Sequence, residues 1–148
     1  LLAEGKIRVA DSKNKADVAI LDELHRRKTG ALIRAALRMG AHAARLAHSD
    51  GDFSRQLCLI DQYADCVGLA FQITDDLLDV ESNSEIAGKR VGKDAARGKL
   101  SYPGCVGVEK SRHRAIELVE QAAALASEFG ESGQPLVELA RCLGQRER

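Results

Sequence analysis

The chain is organised around one stretch, FQITDDLLD at residues 71–79. Three carboxylates stand at i, i+1 and i+4, and on a helix Asp75 and Asp79 lie one turn apart with Asp76 beside them. Like charges this close repel each other unless a cation lies among them. Mg²⁺ suits the position, because it takes carboxylate oxygens and usually keeps several waters and a substrate phosphate. The alternative is an acidic helix end exposed to solvent. The apolar residues around the motif disfavour it, because they indicate a mostly buried helix.

Composition predicts one all-α domain, a helical bundle with an aliphatic core. The 148 residues include two prolines, no tryptophan and 3% aromatic residues, while abundant alanine and leucine favour helix. A chain of this length can bury a core of its own. The formal charge is zero at pH 7, which argues against a nucleic-acid platform. No apolar run approaches the roughly 20 residues that a membrane span needs.

The cysteines show neither C-x-x-C pairing nor metal-ligand spacing with a histidine. We interpret all of them as reduced, mostly buried thiols of a cytoplasmic protein. They are Cys58, Cys66, Cys105 and Cys142.

Apolar residues spaced by three and four predict helices along most of the chain. The predicted order is a loop at 1–15, helices at 17–30 and 32–48, a turn and helix cap at 49–52, a long helix at about 53–80, an irregular basic segment at 81–104, a helix at 109–129 and a last helix from Pro135, with Gly130 as a stop before it. The expected inner faces comprise Val18, Leu21, Leu24, Leu32, Ile33, Ala36, Leu37, Gly40, Leu57, Ile60, Ala64, Val67, Ala70, Ile73, Leu77, Ile116, Val119, Ala122, Ala123, Ala126, Leu136, Leu139, Ala140 and Leu143.

Two glycines interrupt these helical patterns. Gly30 weakens a helix by about 1 kcal/mol relative to alanine, and a kink or break there would turn Lys28 and Thr29 toward a cavity. Gly68 lies on the same stripe of the long helix as Gln72 and Asp75. Either it permits close helix packing or it leaves room for a ligand, and the sequence favours neither explanation.

An acidic helix end, a basic segment and a Lys-Thr step together suit a Mg²⁺-bound diphosphate. The carboxylates would hold the metal, the metal would bridge phosphate oxygens, and lysines would supply positive charge from the other side. The apolar helix interior suits a hydrocarbon body. A ligand with a diphosphate head and an apolar tail fits both.

Three motifs give the chain a resemblance to a known family, the trans-isoprenyl diphosphate synthases or polyprenyl synthetases. Phe71-Gln72 followed by Asp75-Asp76-x-x-Asp79 resembles their second aspartate-rich motif. Upstream, KTGAL at 28–32 is similar to their Lys-Thr motif, and downstream the segments 88–94 and 98–103 are similar to their basic loop. A lone DDxxD would be weak evidence, whereas three motifs in this order and spacing are specific.

The resemblance implies a bundle of the isoprenoid synthase type and a short-chain trans-prenyltransferase of isoprenoid biosynthesis, a homodimer when intact. In this family an allylic diphosphate ionises with the help of Mg²⁺, and isopentenyl diphosphate attacks the resulting carbocation. Carried over by position, the metal ligands are Asp75, Asp76 and Asp79, the catalytic residues are Asp75, Asp76 and Lys28, and the substrate-binding residues are Lys28, Thr29, Phe71, Gln72, Lys89 and Lys99. Asp94 also matches the basic loop, and for each lysine the alternative is a solvated charge.

The chain departs from the family pattern in one respect. Members carry two facing aspartate-rich motifs, whereas this chain has a single DDxxD. We therefore expect residues 1–148 to be the C-terminal half of a synthase about twice as long, starting before Leu1 and inactive without the other half. The alternative is a non-catalytic helical partner subunit that completes or regulates another chain's synthase. A class I terpene cyclase fits less well, because the Lys-Thr and basic-loop motifs do not suit it.

Overall fold

The computed structural model describes residues 17–47, 52–87 and 100–144, with the side chains of 46, 47 and 83–87 left aside. The described residues are helical with short connections and contain no β-strand. The elements are α1 (17–25), a π-helical turn (Arg26–Gly30), α2 (Ala31–Ala47), α3 (Phe53–Ala87), α4 (Tyr102–Val106), α5 (Val108–Ser127), a 3-10 turn (Gly130–Gly133) and α6 (Gln134–Gly144). The all-α prediction is confirmed.

The helix α3 is the centre of the fold, since α2, α4, α5, α6 and the π-helical turn all pack against it. The predicted inner face of α3 is confirmed. Its members from Ile60 to Leu77 are at most 7% exposed, and only Leu57 at the start of the stripe is half-buried. Because neighbours surround α3 on several sides, most residues between 63 and 77 are buried.

The core forms two clusters along α3. One packs Leu69, Ile73 and Leu77 against α1, α4 and α5, and it forms the buried side of residues 71–79, called the acidic stretch below. The other packs Tyr63 and Val67 against α5 and α6. The acidic stretch therefore stands on a packed layer that fixes α1 and α4 beside it.

Two predicted helix boundaries are confirmed by their geometry. The carboxylate of Asp52 accepts hydrogen bonds from the backbone N–H groups of Ser54 and Arg55 at 3.0 and 3.1 Å, which is the bonding of a helix N-cap. Gly130 has φ of 61° just past the end of α5, a conformation that glycine adopts without steric cost.

The predicted irregular segment 81–104 is wrong at both ends. The helix α3 continues to Ala87, and an ion pair between Glu81 and Arg112 ties the start of this extension to α5. At the other end, α4 begins at Tyr102, because the Ser101 hydroxyl caps it by accepting from the Gly104 N–H at 3.3 Å. The stretch 88–99 lies outside the described residues, as do the predicted loop at 1–15 and most of the turn at 49–52.

Four large residues of the predicted inner faces and the burial of the cysteines also need correction. Leu24, Leu32, Ile116 and Leu139 are 50 to 73% exposed, because the core side of their helices runs through Leu21, Ile33, Leu118 and Val137 instead. The prediction of mostly buried thiols is wrong, since two of the four cysteines, Cys58 and Cys142, are exposed. None of the described helices combines the length and apolar content that crossing a membrane requires.

Candidate functional site

A small cavity lies between α1, the π-helical turn and the acidic stretch of α3. Its volume is about 160 Å³, and its polar lining includes Lys28, Gln72, Asp75 and Asp76. The rest of the lining comprises Leu21, Leu24, His25 and Leu100. One wall therefore carries an ammonium group and the opposite wall two carboxylates and an amide, with leucines beside them.

The π-helical turn carries the lysine of this cavity. The sequence led us to expect a kink or break at Gly30, and the chain instead widens into a π turn over Arg26–Gly30 and continues into α2. Such turns insert an extra residue into a helix and are frequent at functional sites. Lys28 is exposed in the cavity wall, and Thr29 next to it is half-buried.

Two glycines bring this turn against α3. A Cβ built on Gly68 would lie 3.0 Å from the Cα of Gly30 and 3.7 Å from its nitrogen. Backbone meets backbone there, so Gly68 serves close packing, which is one of the two explanations that the sequence left open. The contact sets the separation between α3 and the turn that bears Lys28.

The three carboxylates of the acidic stretch differ in exposure. Asp75 and Asp79 are exposed, whereas Asp76 is 6% exposed, and its Oδ2 accepts a hydrogen bond from the backbone N–H of Tyr102 at 3.0 Å. Within the described parts of the chain, no three His, Cys, Asp or Glu residues lie together as a metal-binding group.

The donor set nevertheless fits Mg²⁺ in its usual protein environment. That ion is commonly held by one or two carboxylates, with waters and substrate phosphates completing the octahedron. Asp75, which lines the cavity, and Asp79 one turn further along offer such oxygen ligands. The carboxylate of Asp76 is held from α4, because its Oδ2 accepts the hydrogen bond from the Tyr102 N–H.

Tyr102 connects the two walls of the cavity. It is 2% exposed, its hydroxyl donates a hydrogen bond to the carboxylate of Asp22 on α1, and its backbone N–H donates to Asp76 on α3. Its ring stacks on that of His25, with centroids 6.2 Å apart and planes at 23°. Burial, and secondarily the hydrogen bond with Asp22, raises the pKa of the Tyr102 hydroxyl well above its usual range, so the group remains a donor.

Sequence reasoning missed Asp22 and His25 and gave Tyr102 no role beyond its place in the basic-loop motif. The sequence did contain a signal for them. Asp22, His25 and Lys28 follow one another at intervals of three residues, a spacing that places side chains on one face of a helix. The pairing of that face with Tyr102, 80 residues after Asp22, has no local signature.

The remaining predicted site residues lie elsewhere. Phe71 is half-buried and packs against the cluster that contains Tyr63 and Val67, not in the lining of the cavity beside Lys28. Lys89, Asp94 and Lys99 fall outside the described residues, so their expected contacts with a diphosphate stay predictions.

Comparison with known proteins gives a consistent relationship. Over 103 residues the chain is 47% identical to the farnesyl diphosphate synthase of Escherichia coli strain K12, covering 69% of this chain and 32% of that protein. It is 38% identical over 141 residues to a dimethylallyltranstransferase of Fischerella ambigua, covering 94% of this chain and 39% of that protein. The chain thus spans well under half the length of these curated relatives.

The fold has a match of the same kind. A crystal structure from Marinomonas sp. MED121, provisionally assigned as a farnesyl-diphosphate synthase, superposes with a TM-score of 0.64 at 36% identity, over 85% of this chain and 39% of that one. The model of the polyprenyl synthetase family matches residues 2–133. With that match extending over most of the sequence, the chain belongs to the polyprenyl synthetase family.

Proposed function

We propose that the intact protein is a short-chain trans-prenyltransferase that condenses an allylic diphosphate with isopentenyl diphosphate. The observation that carries the proposal is one shared cavity of about 160 Å³, which is lined by Lys28 together with Asp75 and Gln72. A cation, an amide and two carboxylates, one exposed and one buried, lie around one small space and match what a Mg²⁺-bound diphosphate requires. Leucines in the same lining suit the start of a hydrocarbon chain.

The chemical task is to stabilise a leaving diphosphate as negative charge develops on it. Bound Mg²⁺ would supply Lewis-acid stabilisation of the phosphate oxygens. In this proposal Asp75 and Asp79 hold the metal, and Lys28 binds a phosphate oxygen as a compact point charge. Gln72 donates a hydrogen bond from its amide. Groups placed before the reaction, where charge will develop, need no reorganisation at the moment of ionisation.

No nucleophilic side chain is required, because the double bond of isopentenyl diphosphate is the attacking group. Cys105 lies in the same core cluster as Ile73 and Leu77. Burial mainly, and secondarily Asp17 and Asp76, raises the pKa of its thiol and so disfavours the thiolate.

The proposal includes a homodimer as the assembly of the intact protein and the cytoplasm as its location. The location is supported by four cysteines that form no disulfide, as expected in a reducing compartment.

The direct test is incorporation of labelled isopentenyl diphosphate by the full-length protein, with Mg²⁺ and allylic diphosphates of increasing length. Elongated prenyl diphosphate that disappears on chelation of the metal is the expected result. No product with any allylic acceptor, from protein that is folded by circular dichroism, would overturn the proposal.

A second candidate is a non-catalytic helical partner subunit of another synthase. The observation that favours it is a set of exposed large apolar side chains along α1 and α2, between 53 and 73% exposed, which suits burial against another chain. These residues are Ile20, Leu24, Leu32 and Met39. A subunit of this kind would raise the turnover of a second chain while showing none itself, which the same assay detects when the two are mixed.

A further inference from the structure

The cavity has a lysine wall, which bears Lys28, and an acidic wall, which bears Asp75 and Asp76. We infer that Tyr102 is a positioning residue that sets the gap between these two walls, and thereby sets the affinity for Mg²⁺-diphosphate. The inference rests on the proposed function and deepens it, because it assigns the spacing of the site to a residue that contacts neither metal nor phosphate. Tyr102 acts instead through Asp22 on one wall and Asp76 on the other.

Contacts of Lys28 itself do not hold it in place. It is exposed, and it makes no hydrogen bond or ion pair with any of the described residues. Its position relative to Asp75 therefore depends on the backbone of α1 and the π-helical turn. Whatever fixes that backbone against α3 fixes the width of the cavity.

Tyr102 makes a polar connection between the two walls. Its phenol hydroxyl reaches Asp22, which precedes Lys28 by six residues on the same helical run, while its N–H reaches Asp76, next to Asp75. Both bonds have a carboxylate as acceptor, and such charge-assisted bonds are roughly twice as strong as neutral ones. Movement of α1 away from α3 would break one of them.

Tyr102 is itself immobilised. It is 2% exposed within the cluster formed by α1, α3, α4 and α5, and it follows the capping residue Ser101 as the first residue of α4. The ring of His25, which lines the cavity, stacks on the ring of Tyr102. A residue so enclosed can transmit a fixed distance between its two partners.

The chain offers a matched control in Tyr63. It is 0% exposed, and its hydroxyl donates to the backbone carbonyl of Leu136 at 2.7 Å, in the cluster between α3 and α6 and away from the cavity. Tyr63→Phe and Tyr102→Phe thus delete the same atom from the same kind of environment. They differ in whether that atom connects the walls of the cavity.

The experiment measures binding of inorganic diphosphate in the presence of Mg²⁺ by calorimetry on the full chain, together with thermal unfolding. Tyr102→Phe is expected to weaken binding about 10-fold, the scale of one lost hydrogen bond to a charged group. Tyr63→Phe is expected to lose thermal stability too, though less than Tyr102→Phe because its acceptor is a neutral carbonyl, and its diphosphate binding is expected to be unchanged. Asp22→Asn keeps an acceptor for the Tyr102 hydroxyl and should bind nearly as wild type does, whereas Asp22→Ala should match Tyr102→Phe.

The double variant Asp22→Ala/Tyr102→Phe should bind no more weakly than either single variant, because both remove one bond. Wild-type affinity in Tyr102→Phe, or equal loss of affinity in Tyr63→Phe, would overturn the inference while leaving the proposed function standing. Losses in the double variant that simply add would also overturn it. Absence of Mg²⁺-dependent diphosphate binding by the wild-type chain would instead count against the proposed function.

Discussion

Gly68 and Gly30 meet backbone to backbone, with only 3.0 Å between the Cα of Gly30 and the place where a Cβ on Gly68 would lie. The contact presses the π-helical turn against α3, four residues before Gln72 and seven before Asp75 along that helix. Two glycines that lower helix propensity are therefore used to bring the lysine wall and the acidic wall together.

Gly68→Ala should be destabilising. Its methyl group would meet the backbone of Gly30 rather than the end of a flexible side chain, and overpacking of this kind typically costs about 1–3 kcal/mol. Because the turn must move away from α3, Mg²⁺-dependent diphosphate binding should weaken as well. Denaturant unfolding and calorimetry measure the two effects.

Gly30→Ala is the matched control for that substitution. Its Cβ would have nothing closer than His25 O at 3.6 Å and Arg26 Cβ at 3.9 Å, which are ordinary contacts. Because alanine has the higher helix propensity, stability should be unchanged or raised by up to about 1 kcal/mol. A Gly68→Ala protein as stable as Gly30→Ala would refute the importance of the close approach.

Asp75→Asn should reduce turnover of the full-length protein by at least about 10²-fold, the scale seen when one preorganised electrostatic group is removed. Asp75 is exposed in the cavity wall and makes no hydrogen bond or ion pair with the described residues, so folding should be little affected. Relief of repulsion with neighbouring carboxylates should even raise the thermal midpoint without Mg²⁺.

Asp65→Asn is the control for Asp75→Asn on the same helix. The structure gives Asp65 a partner that the sequence did not suggest, since it pairs with Arg34 across α2 and α3. Both side chains are 40% exposed, and asparagine still accepts a hydrogen bond, so the loss of stability should be within about 1 kcal/mol. Equal losses of turnover at Asp65 and Asp75 would contradict the metal-binding role of Asp75.

The 148-residue chain alone should not elongate an allylic diphosphate, because it carries a single aspartate-rich motif where the family pattern has two facing ones. Purified chain, Mg²⁺, isopentenyl diphosphate and an allylic diphosphate are sufficient for the assay. Diphosphate binding without turnover is the expected outcome. Steady chain elongation would show that one motif suffices.

Local sequence patterns predicted the helices better than the contacts between them. The three-four spacing of α3 and the Asp52 cap are local features and were read correctly. The continuation of α3 to Ala87 was missed because 82–84 are poor helix formers, and a tertiary ion pair at Glu81 supports the helix there. On α5 the spacing of apolar residues does not decide which stripe faces the core, so Ile116 is predicted to be buried although it is exposed.

The polar connection through Tyr102 could not be read from the sequence at all. Its bonds join residues 26 and 80 positions apart, and no periodicity reports such pairs. The acidic stretch suggested three equivalent carboxylates, whereas packing of α4 buries Asp76 and leaves Asp75 exposed. Local composition gives the charges of a site, and the neighbouring elements decide which of them remain available to a ligand.

The two tyrosines should ionise only at strongly alkaline pH in the folded protein. Burial raises the pKa of Tyr63 to about 12, and burial together with Asp22 raises the pKa of Tyr102 further. In an unfolded chain both hydroxyls have a pKa of about 10. Since the folded-state pKa values are raised, their contribution to stability is complete below about pH 10 and is lost as the pH rises through the folded-state values. Stability should therefore decline above about pH 10, less steeply in Tyr63→Phe and in Tyr102→Phe.

The chain has two tyrosines and no tryptophan, so near-ultraviolet absorbance of tyrosinate reports on these two residues alone. The native protein should show no ionisation step at about pH 10. The same protein in guanidinium chloride should show a step at that pH with the amplitude of both tyrosines. Far-ultraviolet circular dichroism, recorded on the same samples, separates ionisation in the folded state from ionisation that follows unfolding. A native-state step near about pH 10 with half the full amplitude, and its disappearance in Tyr102→Phe, would show that the Tyr102 hydroxyl is exposed to solvent. That result would contradict its buried hydrogen bond to Asp22.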